Sequence, residues 1–210
     1  MSAPAAKPEY WDRARRALAR RDPVMAAIIR RHARVHLVPR GDAFHTLSRA
    51  VVGQQISVKA AQSIWNRFVG VAVQVLPEKI IRLKKAQLRA CGLSDRKCEY
   101  LLDLAQRFAD GRVYARRWDE MSDEEVIADL VQIRGIGRWT AEMVLMFSLL
   151  RPDVLPLDDL GLQKGIRNAY FRKRRISVKT MRRLGESWRP WRSVATWYLW
   201  RSLDPVPVEY

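Results

Sequence analysis

Three observations predict an all-α fold for this chain. Apolar residues recur at three- and four-residue spacing through most of its length, as in Val126, Ile127, Leu130 and Ile133. No stretch alternates apolar and polar residues over the length of a strand, and no internal repeat is present. Two of the periodic stretches, Ser122 to Ile133 and Ala141 to Leu150, are separated only by a short segment containing Gly135-Ile136-Gly137. Two glycines there allow a tight reversal with positive backbone angles, so the pair reads as helix, hairpin, helix.

The elements follow in order. Met1 to Glu9, with two prolines and small residues, reads as a disordered lead. Trp11 to His36 reads as two helical runs split at Asp22-Pro23, the second carrying Val24, Ala27 and Ile28. His32 and His36 then share a face, but arginines surround them and no carboxylate is near, so the spacing reads as a solvated basic face rather than a metal site. Pro39-Arg40-Gly41-Asp42 is a turn and the best candidate for a lobe boundary. A helix with Phe44, Leu47, Ala50 and Val51 on one side ends at Gly53-Gln54-Gln55, and Ser57 caps the next, whose buried side is Ala61, Ile64, Trp65 and Phe68. Pro77 to Cys91 and Asp95 to Phe108 read as two scaffold helices with Gly92 at the break, and Arg96 and Lys97 as residues facing water in preference to the alternative, contact with a phosphate. A polar linker after Asp110-Gly111 leads to Ser122, which has capping-box spacing to Glu125. Past Asp159 come a helix to about Tyr170, the basic segment FRKRR, a last helix from Pro190 to Leu203, and a loose tail with Pro205 and Pro207.

The hairpin has a chemical meaning of its own. A helix that starts straight after a reversal leaves its first amide NH groups, around Gly137 to Trp139, without intrahelical acceptors, which is a seat for a phosphate. Composition agrees: 39 Lys and Arg against 22 Asp and Glu leave +17 over 210 residues, a surface that attracts polyanions. With 48% hydrophobic residues and eight Trp, the chain is a globular binder rather than a basic tail. Cys91 and Cys98 are too few for a four-cysteine iron-sulfur cluster and read as reduced structural thiols. No apolar run reaches the roughly 18 residues of a membrane span, and no secretory core follows the N-terminus. The expected setting is soluble and intracellular, cytoplasmic if the source is bacterial.

LVQIRGIGRWTAEM, followed by PLDDLGL, resembles the helix-hairpin-helix DNA glycosylases, most closely the alkylated-base glycosylases of the bacterial inducible 3-methyladenine (AlkA) type. AFHTLSRAVVGQQISVKAA and WRPWRSVATWYLW, beginning at Ala43 and Trp188, also resemble that family. The resemblance implies two helical lobes, residues 42–150 with the hairpin and residues 9–41 plus 151–205, with the active cleft between them. It also implies that the chain starts too near the first shared block to hold the β-rich N-terminal domain of longer members.

Breaking the bond between a base and deoxyribose leaves an oxocarbenium-like sugar, which a carboxylate stabilises. Asp158 and Asp159 are the candidates, and after Pro156 either could instead cap a helix. The family resemblance selects Asp159 as the catalytic carboxylate and leaves Asp158 as the cap. It puts Trp139, Met143 and Trp200 in the base pocket, although Trp200 could equally be core. It gives the DNA-backbone hairpin as Arg134, Gly135, Ile136, Gly137, Arg138 and Thr140, and makes Gln55 or Ile56 the wedge that fills the gap left by a flipped base; Ile56 could equally staple the helix entrance. A monovalent cation on the main-chain carbonyls of Val131, Ile133 and Ile136 is a family option, and no cofactor is required. The expected activity is monofunctional excision of 3-methyladenine and 7-methylguanine from double-stranded DNA by a monomer. A glycosylase for oxidised, deaminated or mismatched bases, or a non-catalytic DNA clamp, is the alternative. Trp139 stands where strand-nicking relatives carry a lysine, and Lys164 reads as an exposed helical cation.

Overall fold

Every regular element is helical in the computed structural model, which describes residues 7–39 and 42–203 apart from the side chain of Val58. The described residues divide into two compact units. One contains the chain up to Pro39 and from Leu145 onward, and the other runs to Val144.

In the first unit, α1 (Trp11–Arg21), α2 (Pro23–Arg31) and α10 (Leu160–Tyr170) assemble around α12 (Arg192–Leu203), and α11 (Val178–Glu186) sets Gly185 against Leu155. Ser193 through Leu199 are all buried, so α12 has no solvent face along that stretch and serves as the central helix, packed on α10, α2 and α1. Trp11 meets Trp197 edge-on, at 5.1 Å between ring centroids. Asp22 ties three elements together: Oδ1 accepts from Val24 N and Met25 N at the start of α2, and Oδ2 accepts from Tyr170 OH at 2.6 Å and Trp188 Nε1 at 3.2 Å.

The second unit holds α3 (Ala43–Gly53), α4 (Val58–Ala72), α5 (Pro77–Ile80), α6 (Lys85–Ala90), α7 (Asp95–Ala109), a 3-10 turn (Ala115–Glu120), α8 (Asp123–Leu130) and most of α9 (Arg138–Phe147). Its centre is α7, which buries Cys98, Leu101, Leu104 and Ala105 against α3, α5 and α6. The predicted caps form: Ser57 accepts from Ala60 N, and Ser122 and Glu125 cap each other's NH groups; Asp42, expected only as a turn residue, also caps, accepting from His45 N. Burial pushes the thiols of Cys91 and Cys98 above the ordinary cysteine range.

Several expectations are corrected. The run ending at His36 stops at Arg31, so His32 and His36 do not share a helical face, and no cluster of potential metal ligands exists among the described residues. Pro77 to Cys91 is two short helices, because the Gln87 side chain accepts from Lys84 N and starts a new helix there. The linker after Gly111 contains the 3-10 turn around buried Trp118, whose indole donates to Asp129. Lys97 does not face water: its ammonium donates to Val52 O at 2.7 Å, and burial holds its pKa down. Helix α11 was not anticipated; Ser177 caps it, but among its residues only Met181 and Gly185 are buried, leaving too few apolar positions to show a period. The first six residues of the expected lead, the centre of the turn at Arg40-Gly41, and the tail prolines lie outside the described residues. Among the described residues no helix is long and apolar enough to cross a membrane.

Candidate active site

Asp159 ends the Pro156-Leu157-Asp158 approach and caps α10. It is 5% exposed, and Oδ1 accepts from Leu162 N at 2.5 Å and from Trp200 Nε1 at 2.7 Å. The cap is therefore Asp159 and not Asp158, which is exposed. The physical reason is spacing: an N-cap carboxylate reaches the NH two or three residues on, and α10 begins at Leu160. The cap expected of Asp158 thus belongs to the residue that the family resemblance had named as the catalytic carboxylate. The same bond decides what Trp200 does. Its indole NH is fixed on the carboxylate, and its ring stacks on Phe147 at 5.9 Å and 11°, while the residue stays half-buried. Gly161 makes room for this arrangement: a Cβ there would lie 3.0 Å from Asp159 Oδ1 and 3.1 Å from Trp200 Cδ1. The adjacent Leu160 is 76% exposed.

The hairpin between α8 and α9 is built differently from its symmetrical GIG sequence. Gly135 has φ +83, and a Cβ there would run into the Tyr100 ring at 2.2 Å, so this position demands glycine twice over. Gly137 does not have a positive φ, and a Cβ there would meet nothing within 4 Å, which corrects the expectation of two left-handed glycines. Gln54 Nε2 donates to Gly135 O at 2.7 Å, tying the α3–α4 joint to the hairpin. The next residue, Gln55, has φ +58 and is exposed; Ile56 is 38% exposed. Both wedge candidates therefore stand at the surface of this unit.

The chain matches the model of the HhH-GPD superfamily base excision DNA repair proteins over residues 48–190. It belongs to that family. A DNA-3-methyladenine glycosylase 1 of Schizosaccharomyces pombe is 40% identical over 76% of this chain and 72% of its own length. A DNA-3-methyladenine glycosylase of Bacillus subtilis is 31% identical over 89% of this chain and 65% of its own, so this chain spans about two thirds of such relatives. Among solved structures, the S. pombe 3-methyladenine DNA glycosylase in complex with abasic DNA superposes with a TM-score of 0.83 at 32% identity, covering 94% of this chain and 99% of that one.

Within this HhH-GPD chain the positions named from sequence are unequal in what they offer. Trp139 is half-buried at the start of α9, whereas Met143, at 3% exposure, and Thr140, at 4%, present little surface. Ile136 is buried and packs the hairpin down. The Arg138 guanidinium is held between Glu124 and Glu142, and its bonding keeps the Glu124 carboxyl below the usual carboxylate range. Arg134 is more open, with a side chain 65% exposed and 3.8 Å from Glu99. Of the two hairpin arginines, Arg134 is thus the one less occupied by carboxylates. Of the carbonyls named for a cation, that of Ile133 already accepts from Ile136 N at 3.0 Å, which leaves it one lone pair. Tyr100, Gln54 and Phe147 were the site residues that sequence reasoning did not assign. Only Gln54 carried a signal, as a polar residue in a joint between two apolar helices.

Proposed function

We propose that the protein is a monofunctional DNA glycosylase that removes alkylated purines, 3-methyladenine and 7-methylguanine, from double-stranded DNA as a monomer. The observation that carries this reading is the buried carboxylate of Asp159, held on one oxygen by a helix NH and by the indole of Trp200. The relatives' names support the substrate class.

A base inside a duplex is out of reach, so the nucleotide is turned out of the stack and the gap is filled by Gln55 or Ile56. The hairpin holds a phosphate through the amides at the start of α9. A base alkylated on a ring nitrogen is cationic and rests against electron-rich indole, Trp139 or Trp200. The glycosidic bond breaks with its electron pair going to the base, which leaves neutral and needs no proton. Positive charge develops on the sugar, where Asp159 stabilises it and orients a water; the water oxygen bonds to the anomeric carbon while the Asp159 carboxylate takes its proton, which then passes to solvent. With both donors on Oδ1, the carboxylate enters the reaction already oriented, which is worth more than a mobile one. Strand nicking through a Schiff base needs a neutral amine at the reacting sugar. Trp139 supplies none, and Lys164 is an exposed residue of α10.

Incubation with methylated duplex DNA and chromatography of the released bases tests the assignment, with 8-oxoguanine, hypoxanthine and mismatched duplexes alongside. Release of 3-methyladenine with an intact abasic strand is expected. Release from the oxidised or mismatched duplexes alone would reassign the substrate class, and release from none would end the glycosylase reading.

A further inference from the structure

From Leu160 to Gly185 the sequence contains nine Lys and Arg and no Asp or Glu, more than half of the chain's net charge of +17. Lys164 and Arg167 lie on α10; Arg172, Lys173, Arg174 and Arg175 form the following loop; Lys179, Arg182 and Arg183 lie on α11. The loop and α11 cations are all exposed. Among the described residues none of the nine has a carboxylate within ion-pair distance, although Arg182 sits in the field of Glu186 at the edge of the patch.

The contrast with neighbouring cations makes the patch informative. Arg189 and Arg192 come just after it and are neutralised by Asp153 and Glu186. In the other unit Lys85 and Arg89 meet Asp95 and Glu99, Arg107 meets Asp103, and Arg112 meets Asp110. Pairing is thus common outside residues 160–185 and absent among the described residues within them. The loop is also conformationally specified. Arg172 and Lys173 are consecutive residues at φ +48 and +65, held there by Lys173 N donating to Arg167 O and Arg174 N to Phe171 O, both at 2.9 Å. Non-glycine residues rarely take up two such conformations in succession, and here they turn a row of cations toward solvent. Like charges crowded within one Debye length repel one another unless an anion lies over them.

We propose that the α10–α11 surface is a second DNA-binding face, which holds the phosphodiester backbone of duplex DNA flanking the lesion. The inference rests on the glycosylase reading for the identity of the polyanion. Along the loop and α11 the cations have little apolar surface beside them, Val178 at 47% exposure being the main exception, and Leu160, at 76%, stands at the opposite end of α10 from the loop. That chemistry suits phosphates, which are met by charge alone, better than a protein partner, which needs an apolar anchor. Its role would be affinity and scanning, not base removal.

Two variants test it. One carries Arg172→Asn, Lys173→Asn, Arg174→Gln and Arg175→Gln, with Asn chosen because it tolerates left-handed backbone. The other carries Lys179→Gln, Arg182→Gln and Arg183→Gln. Affinity for an undamaged duplex is measured from 0.05 to about 0.3 M salt, because each phosphate contact adds about 0.9 to the slope of log K against log salt. The expected result is a slope shallower by about 2 for each variant, unchanged thermal melting, and unchanged single-turnover base release at saturating protein. An unchanged slope in both variants would overturn the proposal. So would slowed base release at saturation, which would put the patch at the reacting sugar, or tighter binding by the wild type to phosphatidylserine vesicles than to the duplex. Failure of the wild type to release any base would defeat the glycosylase assignment while leaving the salt slopes to decide this one.

Discussion

Asp159 caps α10 and is also the carboxylate proposed to carry the reaction, and the two roles can be separated. Asn caps a helix about as well as Asp, so Asp159→Asn removes the charge and keeps the turn. Base release should fall by about a hundredfold or more, with binding to damaged duplex preserved or tightened, as read by single-turnover kinetics and fluorescence anisotropy. Unchanged release would mean that another group carries the reaction. The hairpin glycines give a second residue-scale contrast. Gly135→Ala must move the Tyr100 ring and hold an alanine at φ +83, so it should cost at least about 1 kcal/mol in denaturant unfolding. Gly137→Ala meets neither obstacle, so stability should stay within about 0.5 kcal/mol. DNA affinity should nevertheless fall if the proposed phosphate contact is made there, because the added methyl would stand between the hairpin backbone and the phosphate. Equal loss of stability in both variants would refute this division.

At the scale of elements, Asp22 is the fastening with the most to lose. It caps α2, accepts the phenol of Tyr170 at the end of α10, and accepts the indole of Trp188 ahead of α12. Burial, followed by the bond to Asp22, pushes the Tyr170 phenol far above its ordinary range. Asp22→Ala removes a cap worth about 1 kcal/mol and strands two buried donors, for a combined loss of about 3 kcal/mol. Asp22→Asn retains most of the cap and should recover part of it. Urea unfolding followed by tryptophan emission measures both; a loss under 1 kcal/mol for the alanine variant would show that the three elements do not depend on this carboxylate.

Across the whole molecule, buried phenols set the alkaline limit of stability. Burial pushes Tyr10 up to about 12 from the ordinary 10.0 and raises Tyr170 and Tyr198 as well. The unfolded chain loses these protons near pH 10 while the folded chain keeps them, so the unfolded state binds fewer protons above that pH. The stabilisation is complete below pH 10 and is lost as pH rises toward 12 for Tyr10 and beyond for the others. Melting temperature should therefore fall steeply above pH 10. The Tyr10 hydroxyl is buried without a hydrogen-bond partner, so Tyr10→Phe should be neutral or slightly stabilising at pH 7 and should flatten the alkaline fall. A variant as sensitive as the wild type at pH 11 would assign the fall to other groups.

What was legible in the sequence was what lies within a few residues of itself. Asp22-Pro23, Ser57 and the Ser122–Glu125 pair announce helix starts because a cap reaches only two or three residues along the chain. The amphipathic stripes follow from the helical period, and the hairpin from two helices joined by glycine. The family blocks pointed to Asp159 and Trp200, but not to the bond between them, which spans 41 residues. Nor did the sequence show Gln54 holding Gly135 across 81 residues, or Asp22 meeting Tyr170 and Trp188. Which glycine of GIG is left-handed, and which of two adjacent aspartates caps α10, were likewise settled only by the folded chain. Those outcomes depend on which helix faces meet and how closely, a result of side-chain packing over the whole unit rather than of any local spacing.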